Sequence, residues 1–274
     1  MANPSVSKKK LIAICGKGGA GKTALTAMMT RVLLESRTAS KLLLIDADPA
    51  MGLPNALGIK VKRTMGQVRE EIIKTARGSD KEKKAKLSSM LDYMVLEALL
   101  ETERFALLAM GRTETLGCFC PVNNLLRDAI ETLSRNFDTI IIDGEAGLEQ
   151  INRQVMRRLD TLIVVSDATS RGIQTAGQIK KLVEKDKVIE VKKIGLVFNR
   201  VQGNEELLRK AAQRIGLNLF GFIPQDNEVA RHDLIGKPLL KLARTSSALA
   251  AVRTIVESVL LEPRVPKNSD CIAD

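Results

Sequence analysis

Near the amino terminus the run Gly16-Lys17-Gly18-Gly19-Ala20-Gly21-Lys22-Thr23 fits G-x-x-x-x-G-K-[ST]. Glycines at these spacings let backbone N–H groups converge on a phosphate, and a following helix presents its positive end to the same anion. Lys22 adds a point charge for the β- and γ-phosphates, and the Thr23 hydroxyl can ligate Mg²⁺. The same glycines satisfy G-x-G-x-x-G, with Asp46 where a dinucleotide site would place its ribose acid. That loop needs neither a cation nor a metal-binding hydroxyl, so the Lys22-Thr23 pair selects a nucleoside triphosphate. A later apolar run, residues 140–142, ends in Asp143, an arrangement that holds Mg²⁺ through water. With no Asn-Lys-x-Asp signature for guanine, ATP is expected in preference to GTP. The second informative constellation is Cys118-Phe119-Cys120, which places two of only four cysteines at i and i+2. Two thiolates are half of a Cys₄ shell for a soft ion such as Zn²⁺, Ni²⁺ or Cu⁺. Two free thiols in a loop, or a redox-active pair, are the competing readings.

These residues need a frame, and the apolar patterning supplies one. Short apolar runs recur, each followed by a turn and a stretch of helical spacing, which indicates a parallel sheet covered by helices. The expected strands are 11–15, 41–45, 105–109, 139–142, 161–165, 194–198 and 219–223; helices are expected at 22–36, 122–135, 150–158, 174–185 and 205–215. The expected fold is therefore α/β and doubly wound, a mostly parallel sheet of about seven strands with helices on both faces. One phosphate-loop domain is expected over residues 1–262, with a charged, solvated helical insertion at about 60–104 and a loosely held tail at 263–274. Residues 246–261 carry an apolar stripe of Leu249, Val252, Val256, Val259 and Leu260, with only Arg253 and Glu257 as charges. Lacking a basic polar face, that helix is expected to pack on the sheet and not on a membrane.

Composition bounds the rest. With 274 residues, 45% hydrophobic and 27% charged, the chain can bury a large core and has no mark of disorder. Four cysteines do not make a disulfide scaffold, and no apolar run reaches the ~18 residues of a membrane span, so a cytoplasmic protein is expected. The 43 basic against 32 acidic residues give a net charge of +11, open to an anionic partner or to a solvated lysine-rich face. The absence of Trp, with one Tyr and six Phe, argues against stacking platforms for single-stranded nucleic acid. Cys15 is expected to be a buried small hydrophobe, Cys271 inert in the tail, and His232, the sole histidine, a surface residue.

Lys17 is extra to the generic loop, and Gly-Lys-Gly-Gly-x-Gly-Lys-Thr resembles the deviant Walker A motif of the MinD, ParA, ArsA and nitrogenase iron-protein superfamily. The resemblance implies that Lys17 reaches across a nucleotide-bridged homodimer to the partner's phosphates. It further implies that Asp46-Ala47-Asp48 is the first switch, with Asp48 positioning the attacking water and Asp46 in the magnesium outer shell. Gly147 would offer its N–H to the γ-phosphate, Asn199-Arg200 would meet the base, and the segment containing Pro224 would line its other side. Gly16, Gly18, Gly19, Ala20 and Gly21 would cradle the phosphates. A two-fold dimer would also supply Cys118 and Cys120 twice, completing the thiolate shell. This combination is similar to the CooC and AcsF group of nickel-enzyme maturation ATPases, in outline over residues 11–238. The implied function is an ATP-hydrolysing homodimeric metallochaperone that binds Ni²⁺ or Zn²⁺ and serves carbon monoxide dehydrogenase or acetyl-CoA synthase, without nucleic acid or membrane partners. Two alternatives belong to other classes. A MinD/ParA-like ATPase cycling on membrane or DNA would use the +11 charge but not the cysteines. An iron-protein-like electron donor would need cluster ligands far apart in sequence.

Overall fold

The structure, a computed structural model, describes residues 9–36, 41–77, 81–112, 120–145, 147–148, 151, 155–185, 187 and 189–260; for 76, 77, 81–89, 120 and 121 it describes the backbone alone. Its centre is an eight-stranded sheet in the order β3-β4-β2-β5-β1-β6-β7-β8. The strands are β1 (Lys10–Gly16), β2 (Leu42–Asp46), β3 (Leu100–Glu101), β4 (Ala106–Ala109), β5 (Thr139–Asp143), β6 (Arg158–Asp167), β7 (Glu190–Val201) and β8 (Asn218–Pro224). All pairings are parallel except that of β3 with β4. The eighth strand is the two-residue edge strand β3, too short to leave an apolar period in the sequence.

Because side chains alternate across a strand, the sheet feeds two separate cores. Ile12, Ile14, Leu44, Ile141, Ile163 and Val197 face one side, where α1 (Lys22–Ser36), α2 (Gly52–Leu57) and α9 (Ser247–Val259) cover them. Ala13, Cys15, Ile45, Ile142, Val164 and Phe198 face the other, under α3 (Met65–Arg77), α4 (Lys81–Ala98), α5 (Cys120–Ser134), α6 (Ser170–Glu184) and α7 (Glu205–Ile215). Both faces are covered, which is why these strands are apolar throughout and not alternating. α9 lies on the sheet as its stripe indicates, with Leu249, Val252 and Val256 buried.

Three expectations need correction. The segment at 60–104 is helical, but it is no solvated appendage: Met65, Val68, Ile72 and Ile73 of α3 and Leu91, Met94, Val95 and Ala98 of α4 are buried in the second core. His232 is buried too, within α8 (Asn227–Leu234), and its Nδ1 lies 3.1 Å from the Pro238 carbonyl oxygen. Arg158, expected to end a helix, opens β6; residues 150 and 152–154 of that expected helix lie outside the described residues, as does the tail at 263–274.

One carboxylate ties β8 to the last helices. Asp226 caps α8 by accepting from the Glu228 N–H at 2.8 Å, while its other oxygen accepts from Ser246 Oγ at 2.7 Å and the Ala248 N–H at 3.1 Å, at the start of α9. Burial works against its charge, but the hydrogen bonds from Ala248, Ser246, Glu228 and Ser247 outweigh it and hold the carboxyl down to about 2. A depressed carboxylate contributes stability that is complete above its unfolded value of about 3.9 and is lost as the pH falls toward 2. Asp226→Asn should therefore lose about 1–2 kcal/mol near neutral pH, the size of a lost charged cap. In urea unfolding followed from pH 7 to pH 2.5, the gap between wild type and variant should narrow steadily below pH 4; a constant gap would refute the assignment.

Candidate functional site

The strand order reverses beside β1, and the carboxyl ends of the strands flanking such a reversal, here β1 and β6, are the place where open α/β sheets bind ligands. The chain leaves β1 at Gly16 and enters α1 at Lys22, so residues 16–21 form the turn between strand and helix that a phosphate loop requires. Gly16 has φ 137°, and a Cβ there would stand 2.0 Å from the Val165 carbonyl oxygen of β6. A Cβ at Gly18 would meet no atom within 4 Å.

Lys22 is 8% exposed, and its Nζ donates to the carbonyl oxygens of Gly16 at 3.2 Å and Lys17 at 3.3 Å, bracing the loop from inside. Asn199, at the end of β7, buttresses it from the opposite side. Its Nδ2 donates to the Ala20 carbonyl at 2.8 Å and its Oδ1 accepts from the Arg200 N–H at 3.0 Å. Arg200, with φ 57°, sends its guanidinium to the Gly19 carbonyl oxygen. The structure thus brings Asn199 and Arg200 to the loop, and Pro224 ends the adjoining strand β8, paired in register with Val201. Because Asn199 holds a loop carbonyl, Asn199→Ala should weaken ATP binding roughly 5- to 30-fold, the worth of one buried hydrogen bond and its orphaned partner. Titration with a fluorescent ATP analogue measures this, and an unchanged affinity would exclude the buttress role.

Three carboxylates close the front of the site. Asp46 and Asp143 are register partners on adjacent strands, and both are buried. Both oxygens of Asp46 are engaged, by the N–H groups of Asp48 and Leu53 at 3.0 Å each, so Asp46 acts as the strut of the loop that carries Asp48. Burial first, then the Asp143 charge, pushes Asp46 up to about 7. Asp48 is half-buried, its Oδ1 accepting from the Ala50 N–H at 2.8 Å in a turn that ends at Met51, φ 52°. Asp143 accepts from Thr26 Oγ1 at 3.0 Å through Oδ1, while its buried Oδ2 accepts no hydrogen bond among the described residues. Burial pushes its carboxyl up to about 6, opposed by the Thr23 and Thr26 hydroxyls and the Lys22 ammonium. An orphaned acceptor oxygen beside two hydroxyls and a lysine fits Mg²⁺ held through water, with Thr23 as the direct ligand. The chain therefore has the groups that a Mg²⁺–triphosphate requires.

Two features escaped the sequence reading. Thr26, one turn after Thr23, is the hydrogen-bond donor to Asp143, a role only the helix geometry discloses. Asp167, the last residue of β6, binds the extra lysine: Lys17 Nζ lies 2.8 Å from Asp167 Oδ2. Its only signal was an acid at a strand end, as at Asp46 and Asp143, but the apolar run stops two residues earlier. Cys15 is fully buried and burial pushes its thiol up to about 12, as suits an inert core residue. Cys120 is the first residue of α5; its side chain and all of Cys118 lie outside the described residues, which contain no metal-ligand cluster elsewhere. Gly147 is described, half-buried after the end of β5.

The profile of the CobQ/CobB/MinD/ParA nucleotide binding domain matches residues 11–239. The chain belongs to this family. It is a P-loop ATPase of the CobQ/CobB/MinD/ParA group. An uncharacterised ATP-binding protein of Methanocaldococcus jannaschii is 39% identical over 91% of this chain and 98% of its own. The carbon monoxide dehydrogenase accessory protein CooC of Rhodospirillum rubrum is 29% identical over 82% of this chain and 87% of its own. In fold, the septum site-determining protein MinD of Pyrococcus horikoshii, solved with Mg-ADP, superposes with a TM-score of 0.66 at 21% identity, covering 92% of this chain and 96% of the other. Among the described residues no helix is long and apolar enough to cross a membrane.

Proposed function

We propose that this ATPase is a homodimeric metal-delivery factor of the CooC and AcsF kind. It would hold Ni²⁺ or Zn²⁺ between subunits on Cys118 and Cys120 and release it to a nickel enzyme such as carbon monoxide dehydrogenase or acetyl-CoA synthase. The supporting observation is topological. α5 opens at Cys120 after the chain has left the carboxyl end of β4, on the sheet edge that also carries Lys17, Asp48 and Asp143. Metal ligands beside Cys120 and the nucleotide would then share one edge, and a dimer closing over that edge would engage both. The CooC relative supports the same reading by its name as an accessory protein of carbon monoxide dehydrogenase.

In this reading Gly16, Gly18, Gly19, Ala20 and Gly21 wrap the phosphates, Lys22 neutralises them, and Thr23 and Asp143 hold Mg²⁺. Asp48 orients the attacking water. Gly147 reports the γ-phosphate, Lys17 reaches the partner's phosphates, and Asn199, Arg200 and Pro224 bound the adenine. A two-state switch would couple these to the thiolates, because nucleotide hydrolysis changes how tightly the dimer is held. The test is light scattering with parallel metal analysis, with and without MgATP and Ni²⁺ or Zn²⁺. One cysteine-dependent metal per dimer is expected.

The likeness to MinD supports a second reading, a MinD/ParA-like ATPase cycling on membrane or DNA. ATP-dependent, salt-sensitive binding to anionic liposomes or DNA, with no cysteine-dependent metal, would put that reading first.

A further inference from the structure

We infer that Asp167 is a positioning residue that holds Lys17 within its own subunit and thereby sets the protein concentration at which ATP can pair two subunits. The inference rests on the proposed role of Lys17 across the dimer and extends it to the regulation of that role.

Lys17 Nζ donates to Asp167 Oδ2 at 2.8 Å and lies 3.5 Å from Thr169 Oγ1, so the ammonium points along its own β6–α6 turn. The anchor is well built. Thr169 Oγ1 donates to Asp167 Oδ1 at 2.5 Å and accepts from the Gly172 N–H at 3.1 Å, as the amino-terminal cap of α6. A Cβ at Gly172 would stand 2.3 Å from Asp167 Oδ1, so the carboxylate fits against a bare backbone. One ammonium cannot sit on this carboxylate and on a phosphate of the facing subunit. The two partners compete.

Leaving Asp167 is cheap, for two reasons. The pair is open to water, with side-chain exposures of 30% for Lys17 and 21% for Asp167, so solvent screens it. Burial works against the Asp167 charge, but besides Lys17 the Thr169 hydroxyl and, more weakly, the Arg200 guanidinium favour it, so part of its stabilisation stays when Lys17 leaves. A pair of this kind shifts an equilibrium by roughly two- to five-fold. Each dimer uses two such lysines, so the expected effect on dimerisation is the product, roughly four- to 25-fold.

The experiment measures the ATP-dependent dimer constant by light scattering or sedimentation for wild type, Asp167→Asn, Asp167→Glu, Lys17→Ala and Lys17→Ala/Asp167→Asn. Asparagine keeps the Oδ1 acceptor for Thr169 and removes the charge, so α6 stays capped. Asp167→Asn should dimerise at roughly four- to 25-fold lower concentration than wild type, and Asp167→Glu should stay near wild type. The Asp167→Asn gain should vanish in the Lys17→Ala background, the signature of coupling through Lys17 that a merely structural role would not give. A gain that survives without Lys17, or weaker or unchanged dimerisation of Asp167→Asn with the affinity for ATP intact, overturns the inference alone. If Lys17→Ala dimerises as wild type does, the cross-dimer role of Lys17 itself fails. Should Asp167→Asn unfold, Asp167→Ser carries the same comparison.

Discussion

Lys22→Ala should lose ATP hydrolysis by a factor of roughly 10²–10³, the cost of removing a preorganised charge from a transition state. Two physical roles end together in that variant. The ammonium is the only cation described within the loop's interior, and it is 8% exposed, so no solvent screens its attraction for a triphosphate. It also braces the loop through the Gly16 and Lys17 carbonyls, which would lose their donors. Binding should therefore fall as well as turnover. Phosphate release and titration with a fluorescent ATP analogue separate the two, and turnover within three-fold of wild type would exclude this site. Lys22→Arg should not restore activity, because a forked guanidinium cannot occupy a space enclosed by two carbonyls and the buried Asp143.

Cys118→Ser with Cys120→Ser should abolish metal binding altogether, from one soft ion per dimer to none. Four thiolates bind a structural Zn²⁺ with an apparent free energy of about 10–16 kcal/mol, and serine hydroxyls at neutral pH supply almost none of it. The single variants matter as much. Each leaves two thiolates per dimer, so either alone should weaken binding by more than roughly 10³-fold, whereas a site within one subunit would lose one ligand of its own set. Inductively coupled plasma analysis of the size-separated dimer gives the stoichiometry. Metal retained by the double variant would remove the delivery reading and leave the ATPase without its proposed cargo.

Much of the frame was legible because apolar runs between turn residues read directly as buried parallel strands. The loop and Asp143 were legible because each chemical duty there demands a particular residue type at a particular spacing. What stayed hidden was set by the fold, in most cases by contacts between residues distant in sequence. Lys17 and Asp167 meet across 150 positions. His232 reads as a surface residue from its neighbours, and only the fold of α8 back toward Pro238 buries it. The charges of residues 60–104 mask an apolar face on α3 and α4 that has meaning only once β2 and β4 lie beneath it. Asn199 could be singled out by its place after a strand, but its hold on the Ala20 carbonyl could not.

The glycines of the loop look interchangeable on paper, yet they answer to different masters. At position 16 any side chain would enter the backbone of β6, so glycine there is demanded by the sheet before a ligand exists. At position 18 the same side chain would project into open space, and the protein could fold with it. Identical letters in this motif therefore answer to different constraints, and only the first of the two is set by the sheet. A lineage that abandoned nucleotide binding but kept the fold would be free to change the second glycine while remaining bound to the first.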